Sequence, residues 1–200
     1  MTLPLILLSN DDGIGADGIH HLARALRTFA RVIVCCPSTE QSASSHSLSL
    51  NRPLRIVEHG QDEFSVSGTP ADSVYVALHQ ERVLERAPDL VVAGMNHGLN
   101  LGMDVFYSGT VAAAREGALN GPPSLAVSAD NGADPIAAAK KGAEAAQALL
   151  QLGLTGGHLF NLNIPPQGSW EFVSTRLGKR VYSGGLVERH DPRGQAYYWV

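Results

Sequence analysis

The sequence predicts an α/β fold, with a Rossmann-like, mainly parallel sheet, helices on both faces and a C-terminal antiparallel arm. Three observations predict it. Short unbroken apolar runs over residues 5–8, 32–36 and 90–93 have the length of strands buried on both faces. Segments with helical spacing and helix-start signals alternate with those runs. After Pro166 the pattern changes to polar–apolar alternation, as in strands wet on one face.

Each element follows from local signals. Leu5-Ile6-Leu7-Leu8 is the first strand, and Ile19, Leu22, Ala23 and Leu26 recur at helical spacing behind it. Val32-Ile33-Val34-Cys35-Cys36 is a second buried strand, stopped by Pro37. Residues 38–51 form a polar loop with six serines. Residues 55–57 and 64–67 are weaker strand candidates. Thr69-Pro70-Ala71-Asp72 opens a helix with a Thr cap, Pro in the first turn and Asp at the positive dipole end. That helix is expected to reach about Arg86.

Leu90-Val91-Val92-Ala93 is another strand, and a Gly/Asn-rich loop leads to Ser108. A helix from Thr110 or Val111 to Leu119 is halted by Asn120-Gly121-Pro122-Pro123. Residues 124–128 and 158–162 are strands, and Asp134-Pro135 caps a helix between them that runs through Leu150. In the arm, residues 171–174 and 180–183 alternate, and Tyr197-Tyr198-Trp199-Val200 closes the chain in mid-strand. Two units are expected: an α/β catalytic core over 1–166 and a β-rich oligomerisation arm over 167–200.

At 200 residues and 21.2 kDa the chain suits one main domain. Surface scaling gives about 9,000 Å² exposed when folded against about 31,000 Å² unfolded, so a core forms without disulfides. Hydrophobic residues at 44% exclude a disordered chain. A net charge of −4 with no basic patch argues against a nucleic-acid partner. Adjacent Cys35 and Cys36 point to opposite faces of a strand, so no bridge joins them, and a cytoplasmic setting is expected. The apolar start lacks a basic flank and is too short to span a bilayer, so no leader and no membrane contact are expected.

Polar residues collect after four strand ends, where open α/β sheets bind ligands. They are Ser9-Asn10-Asp11-Asp12-Gly13, the serine loop, Asn96-His97-Gly98 and Ser128-Ala129-Asp130-Asn131. Asp11 and Asp12 repel each other unless a cation or donors satisfy them. The plainer reading makes one a helix cap and leaves the other solvated. Their place between a buried strand and two glycines favours metal. The nearby donors are carboxylates, serine hydroxyls and the Asn96 amide, an oxygen-only set that suits Mg²⁺, Mn²⁺ or Ca²⁺ rather than zinc. His20, His21, His46 and His97 lack zinc spacing and read as surface or packed side chains. Ser108-Gly109-Thr110 opens a helix, whose free amides cradle phosphate or simply receive a Ser/Thr cap.

At these residues the chain resembles the SurE family, named for a stationary-phase survival protein with nucleotidase activity. Five ordered blocks carry the resemblance. They are Leu7-Leu8-Ser9-Asn10-Asp11-Asp12-Gly13; Pro37 with Gln41-Ser42-Ala43-Ser44-Ser45-His46-Ser47-Leu48; Ser67-Gly68-Thr69-Pro70-Ala71-Asp72; residues 88–98 around Gly94-Met95-Asn96-His97-Gly98; and Tyr107-Ser108-Gly109-Thr110-Val111-Ala112-Ala113-Ala114. Asp191-Pro192-Arg193 and Tyr197-Tyr198-Trp199 resemble a later motif. The resemblance implies a metal-dependent, acid-type phosphatase acting on nucleoside monophosphates. It implies Mg²⁺ or Mn²⁺ on Asp11, Asp12, Ser42 and Asn96, phosphate on Asn10, Ser108, Gly109 and Thr110, and Asp11, Asp12 and Asn10 as the catalytic groups. The arm's aromatics, Tyr182, Tyr197, Tyr198 and Trp199, would be left exposed by an isolated hairpin, so a homodimer or homotetramer that covers them is expected. Family members continue beyond the Tyr-Tyr-Trp motif, so the arm is expected to be shortened here.

Two routes remain open from sequence: attack by metal-activated water, or attack by an aspartate to give an aspartyl-phosphate. Phosphatases with an Asp-x-Asp loop are a poor match, because Gly13 stands where the second carboxylate is needed. A nucleotide-binding module without turnover is the alternative function. It needs the glycines and the helix end but no four-oxygen metal site.

Overall fold

The computed structural model describes residues 3–179 and 185–199. The continuous apolar runs become strands buried on both faces. β1 (Leu5–Ser9) is buried throughout and β2 (Arg31–Pro37) at all but its first residue. β3 (Ile56–Gly60) and β4 (Glu63–Val66) form an edge hairpin. With β5 (Leu90–His97), β6 (Ser124–Ala129) and β7 (Leu159–Ile164) they build a seven-stranded sheet in the order β3-β4-β2-β1-β5-β6-β7. Every pairing except β3–β4 is parallel.

Alternate strand residues feed two separate cores. Ile6, Leu8, Val34, Val92 and Val127 pack beneath α1 (Asp17–Leu26) and α5 (Pro135–Gln151). Leu5, Leu7, Ile33, Val91 and Ala126 pack beneath α2 (Pro70–His79) and α4 (Gly109–Leu119). Each fully buried Leu or Ile in these rows contributes about 2–3 kcal/mol. Cys36 joins the first core and Cys35 the second, and both are free. Burial pushes the Cys35 thiol up to about 12 and the Cys36 thiol up as well, so neither is a nucleophile at neutral pH.

Three elements depart from the sequence pattern. α2 ends at His79 rather than near Arg86. Its predicted Thr cap is present, and Asp72 completes a capping box: Thr69 Oγ1 accepts from Asp72 N and Asp72 Oδ2 from Thr69 N. The far end yields to tertiary burial. Gln80 is extended, and Val83 and Leu84 turn back to its carbonyl and enter the second core. β5 continues past Ala93 to His97, and a short α3 (Asp104–Tyr107) interrupts the loop beyond it. Gly94 allows that extension. It holds φ +138°, and a Cβ there would sit 2.4 Å from the Val127 carbonyl oxygen.

The third departure is in the arm. Residues 171–174 form no strand. Aromatic contacts tie this stretch to the core instead. Trp170 Nε1 donates to the Pro165 carbonyl at 3.0 Å, and Lys141 Nζ lies 4.1 Å above the Phe172 ring. Residues 180–183 and Val200 lie outside the described residues. The arm's sheet is the antiparallel hairpin of β8 (Val187–His190) and β9 (Ala196–Trp199), separate from the main sheet. The accessible surface is 11382 Å². That exceeds the roughly 9,000 Å² expected of a monomer of this mass.

Gly94→Ala should destabilise the protein by roughly 2–4 kcal/mol, through positive φ and the collision with β6. Urea unfolding measures it; an unchanged midpoint would mean that β5 reaches Asn96 by another backbone path.

Candidate active site

The strand order reverses beside β1, which has β2 on one side and β5 on the other. Crevices at the carboxyl ends of strands form at such a reversal. β1 stops at Ser9, opposite Ala93, while β5 runs on to Asn96 and His97. The polar loops therefore meet at one edge of the sheet.

Asn10 closes the turn after β1. It is fully buried, its Nδ2 donates to Gly13 O at 2.9 Å, and its Oδ1 accepts from Gly13 N at 3.2 Å. Both ends of its amide thus shape the loop that carries the two aspartates. Asp11 is buried, and its Oδ1 accepts a hydrogen bond from the buried Thr110 hydroxyl in the first turn of α4. A Cβ at Gly109 would lie 2.7 Å from Asp11 Cβ and 3.0 Å from Ser44 Oγ. Only glycine lets the helix end come this close.

Burial raises the Asp11 carboxyl above its ordinary value, against the lowering effect of the Thr110 hydrogen bond. Burial, then the Asp11 charge, pushes Asp12 up to about 6, opposed by His97. Asp12 Oδ2 is buried and has no hydrogen-bond partner among the described residues. A buried carboxylate oxygen without a donor is costly, and a cation is the usual remedy.

The serine loop is drawn in by the bond from Gln41 N to Asp11 O, 2.8 Å. The next residue, Ser42, is exposed, and its hydroxyl donates to Glu40 Oε1 at 2.6 Å. That donation leaves the Ser42 oxygen lone pairs for a cation. Asn96 Nδ2 donates to Gly98 O at 2.7 Å, so Oδ1 is the end of this amide that could ligate a cation. The loop beyond is pinned by Asn100, which donates to Ser128 Oγ at 2.8 Å and whose carbonyl accepts from Asn161 and Asn163. Ser108 caps α4, its Oγ accepting from Val111 N at 3.1 Å, which leaves its O–H as a donor.

The structure thus places Asp11, Gly109 and Thr110 in direct contact, with Asp12 beside Asp11. Ser42 reaches them through its backbone neighbour, and Asn96 adjoins His97, whose ring eases Asp12. Among the described residues no three His, Cys, Asp or Glu side chains converge to hold an ion. Sequence reasoning missed Glu40, which raises both aspartates electrostatically. Its signal was available, since it is the one acidic residue of the 38–51 loop. It also missed Ser44, whose buried hydroxyl has no partner among the described residues, and nothing in the run of serines marks it out.

A family model described as Survival protein SurE matches residues 6–184. The chain belongs to the SurE family. A SurE relative from Sorangium cellulosum, named 5'-nucleotidase SurE, is 56% identical over 202 residues, covering 98% of this chain and 78% of that protein. One of the same name from Moorella thermoacetica is 47% identical over 206 residues, covering 98% and 78%. The crystal structure of the SurE protein from Aquifex aeolicus matches with a TM-score of 0.84 at 38% identity, covering 98% of this chain and 81% of that one. The parallel sheet and its separate hairpin are therefore a SurE architecture.

In this SurE chain Asp12 holds its proton more tightly folded than unfolded. Its contribution to stability is full below pH 3.8 and is lost as pH rises through about 6. In EDTA at pH 7.5, Asp12→Asn should therefore raise stability, by roughly 1 kcal/mol once solvent screening of this half-buried group is allowed for. The gain should vanish at pH 4. Thermal melts at the two pH values measure it, and equal shifts at both would remove the charge explanation.

Proposed function

We propose that this chain is a phosphoric monoester hydrolase that releases phosphate from nucleoside 5'-monophosphates, aided by a divalent cation, Mg²⁺ or Mn²⁺. The observation that carries the reading is the buried bond between Thr110 and Asp11, which sets an acidic pair against a helix N-terminus. One side of the site suits a cation and the other an anion. The 5'-nucleotidase names of the relatives supply the substrate class.

Asp11, Asp12, Ser42 and Asn96 would hold the cation, and the partnerless Asp12 Oδ2 fits that role. When bound, the cation polarises a phosphoryl oxygen and lowers the pKa of water. The chain's own groups do the rest. The first-turn amides of α4 at Gly109 and Thr110 receive phosphate oxygens and oppose the charge that develops during transfer. Asn10 keeps the aspartates aimed by closing their turn on Gly13. Water is the favoured nucleophile over an aspartate: Asp11 Oδ1 is held by Thr110, and attack through it would break the bond that builds the site.

A binding module without turnover has no use for a buried carboxylate oxygen lacking a donor. The net charge of −4 offers no field for a long polyanion, so short monophosphates are the substrates. Among the described residues no helix is long and apolar enough to cross a membrane, and the two thiols are free; both support a cytoplasmic setting. The hairpin leaves Tyr197, Tyr198 and Trp199 41%, 56% and 64% exposed, which supports a homodimer or homotetramer that covers them.

Phosphate release from p-nitrophenyl phosphate should require Mg²⁺ or Mn²⁺ and stop in EDTA. Asp11→Asn should nearly abolish it, and Thr110→Ala should lower kcat/KM about 10²-fold. Wild-type turnover in either variant at saturating metal would move the site elsewhere. AMP and GMP should both be cleaved, and processive degradation of oligonucleotides would contradict the substrate class. Light scattering should give an oligomer for the intact chain and a smaller species for one ending at Gln167; a monomeric intact chain would refute the interface.

A further inference from the structure

Glu116 is a buried charge that the proposed chemistry leaves unused. It lies late in α4 with its side chain only 7% exposed. Its Oε2 accepts from His46 Nε2 at 2.6 Å and its Oε1 from Asn120 Nδ2 at 2.8 Å. A carboxylate can only accept, so His46 carries its proton on Nε2. His46 belongs to the serine loop, a few residues after Ser42. One helix therefore grips both catalytic loops: Thr110 in its first turn holds the Asp11 loop, and Glu116 holds the serine loop.

The serine loop needs holding. Ala43 and Ser45 adopt φ of 54° and 52°, left-handed values that non-glycine residues avoid. Such a conformation persists only where the surroundings enforce it. Ser45 is fixed by its N–H to Tyr107 O, 3.1 Å, and its hydroxyl to Phe106 O, 2.7 Å. Farther along, Thr69 Oγ1 donates to Ser47 O and Asp72 Oδ1 accepts from Ser49 N. His46 is the side chain from this turn that reaches a buried charge.

We propose that Glu116 and His46 are positioning residues whose contact holds the left-handed turn, and with it Ser42, against the aspartates. The proposal rests on Ser42 as a cation ligand in the function proposed above. Its test uses the full chain with His46→Ala, His46→Gln and Glu116→Gln. Two quantities are read: the Mn²⁺ concentration giving half-maximal p-nitrophenyl phosphate hydrolysis, and amide hydrogen exchange in EDTA. His46→Ala should raise the half-activating Mn²⁺ concentration about 10–100-fold. Its kcat at saturating Mn²⁺ should stay within about threefold of wild type. Exchange in residues 41–47 should quicken at least about tenfold while α5 and β6 are unchanged. Glu116→Gln should raise the same two quantities.

His46→Gln, whose amide can still donate to Glu116, should recover most of both. Unchanged exchange in the loop of His46→Ala would overturn the proposal. Equal acceleration in the loop, α5 and β6 would overturn it too, since that is general destabilisation. If wild-type activity ignores both Mn²⁺ and EDTA, the cation assignment fails, and the exchange result alone decides whether the pair holds the loop.

Discussion

The hydrogen bond from Thr110 to Asp11 joins residues 99 apart in sequence and ties the central strand's loop to the start of α4. Both partners are buried, so the bond is sheltered from water and strong for its kind. Without it the buried carboxylate would keep only its backbone donors, at Asp11 and Thr110, and would lose its one side-chain donor. Gly109 is the steric condition for the bond, because any side chain there displaces Asp11. The apolar strands and the two helical layers bring these groups to the same sheet edge. The bond then sets their spacing.

The cost of the arrangement falls on stability. Two neighbouring carboxyl groups are both raised by burial, and Asp12 Oδ2 has no donor among the described residues. Natural sites of this kind trade folding free energy for chemistry, and the surplus comes from rows of buried Leu, Ile and Val beneath the helices. The same logic explains why Asn10 is fully buried yet polar. Its amide is satisfied by the turn it closes, so it shapes the acidic loop at little penalty.

Much of this was readable from residues, for physical reasons. Strands buried on both faces appear as unbroken apolar runs, and capping boxes are local, so β1, β2, β6 and the start of α2 follow directly from composition. The end of α2 does not, because burial of Val83 and Leu84 depends on a core assembled from distant strands. Asp11 and Asp12 stand out because adjacent acids at a strand end are unusual. Glu40 and Ser44 act through proximity in space, which no spacing rule encodes. His46 reads as one more polar loop residue until its buried partner on α4 is seen. Residues 171–174 carried an alternating pattern with no strand beside them to pair with, and aromatic contacts took over.

The placement of the two cysteines has a consequence for how the fold opens. Cys35 and Cys36 are neighbours in sequence but lie in different cores, one beneath α2 and α4, the other beneath α1 and α5. A thiol reagent reaches the first only when one helical layer lifts, and the second only when the other does. Adjacent positions on a single strand thus form a built-in pair of gauges. The ratio of their labelling rates records which side of the sheet breathes first.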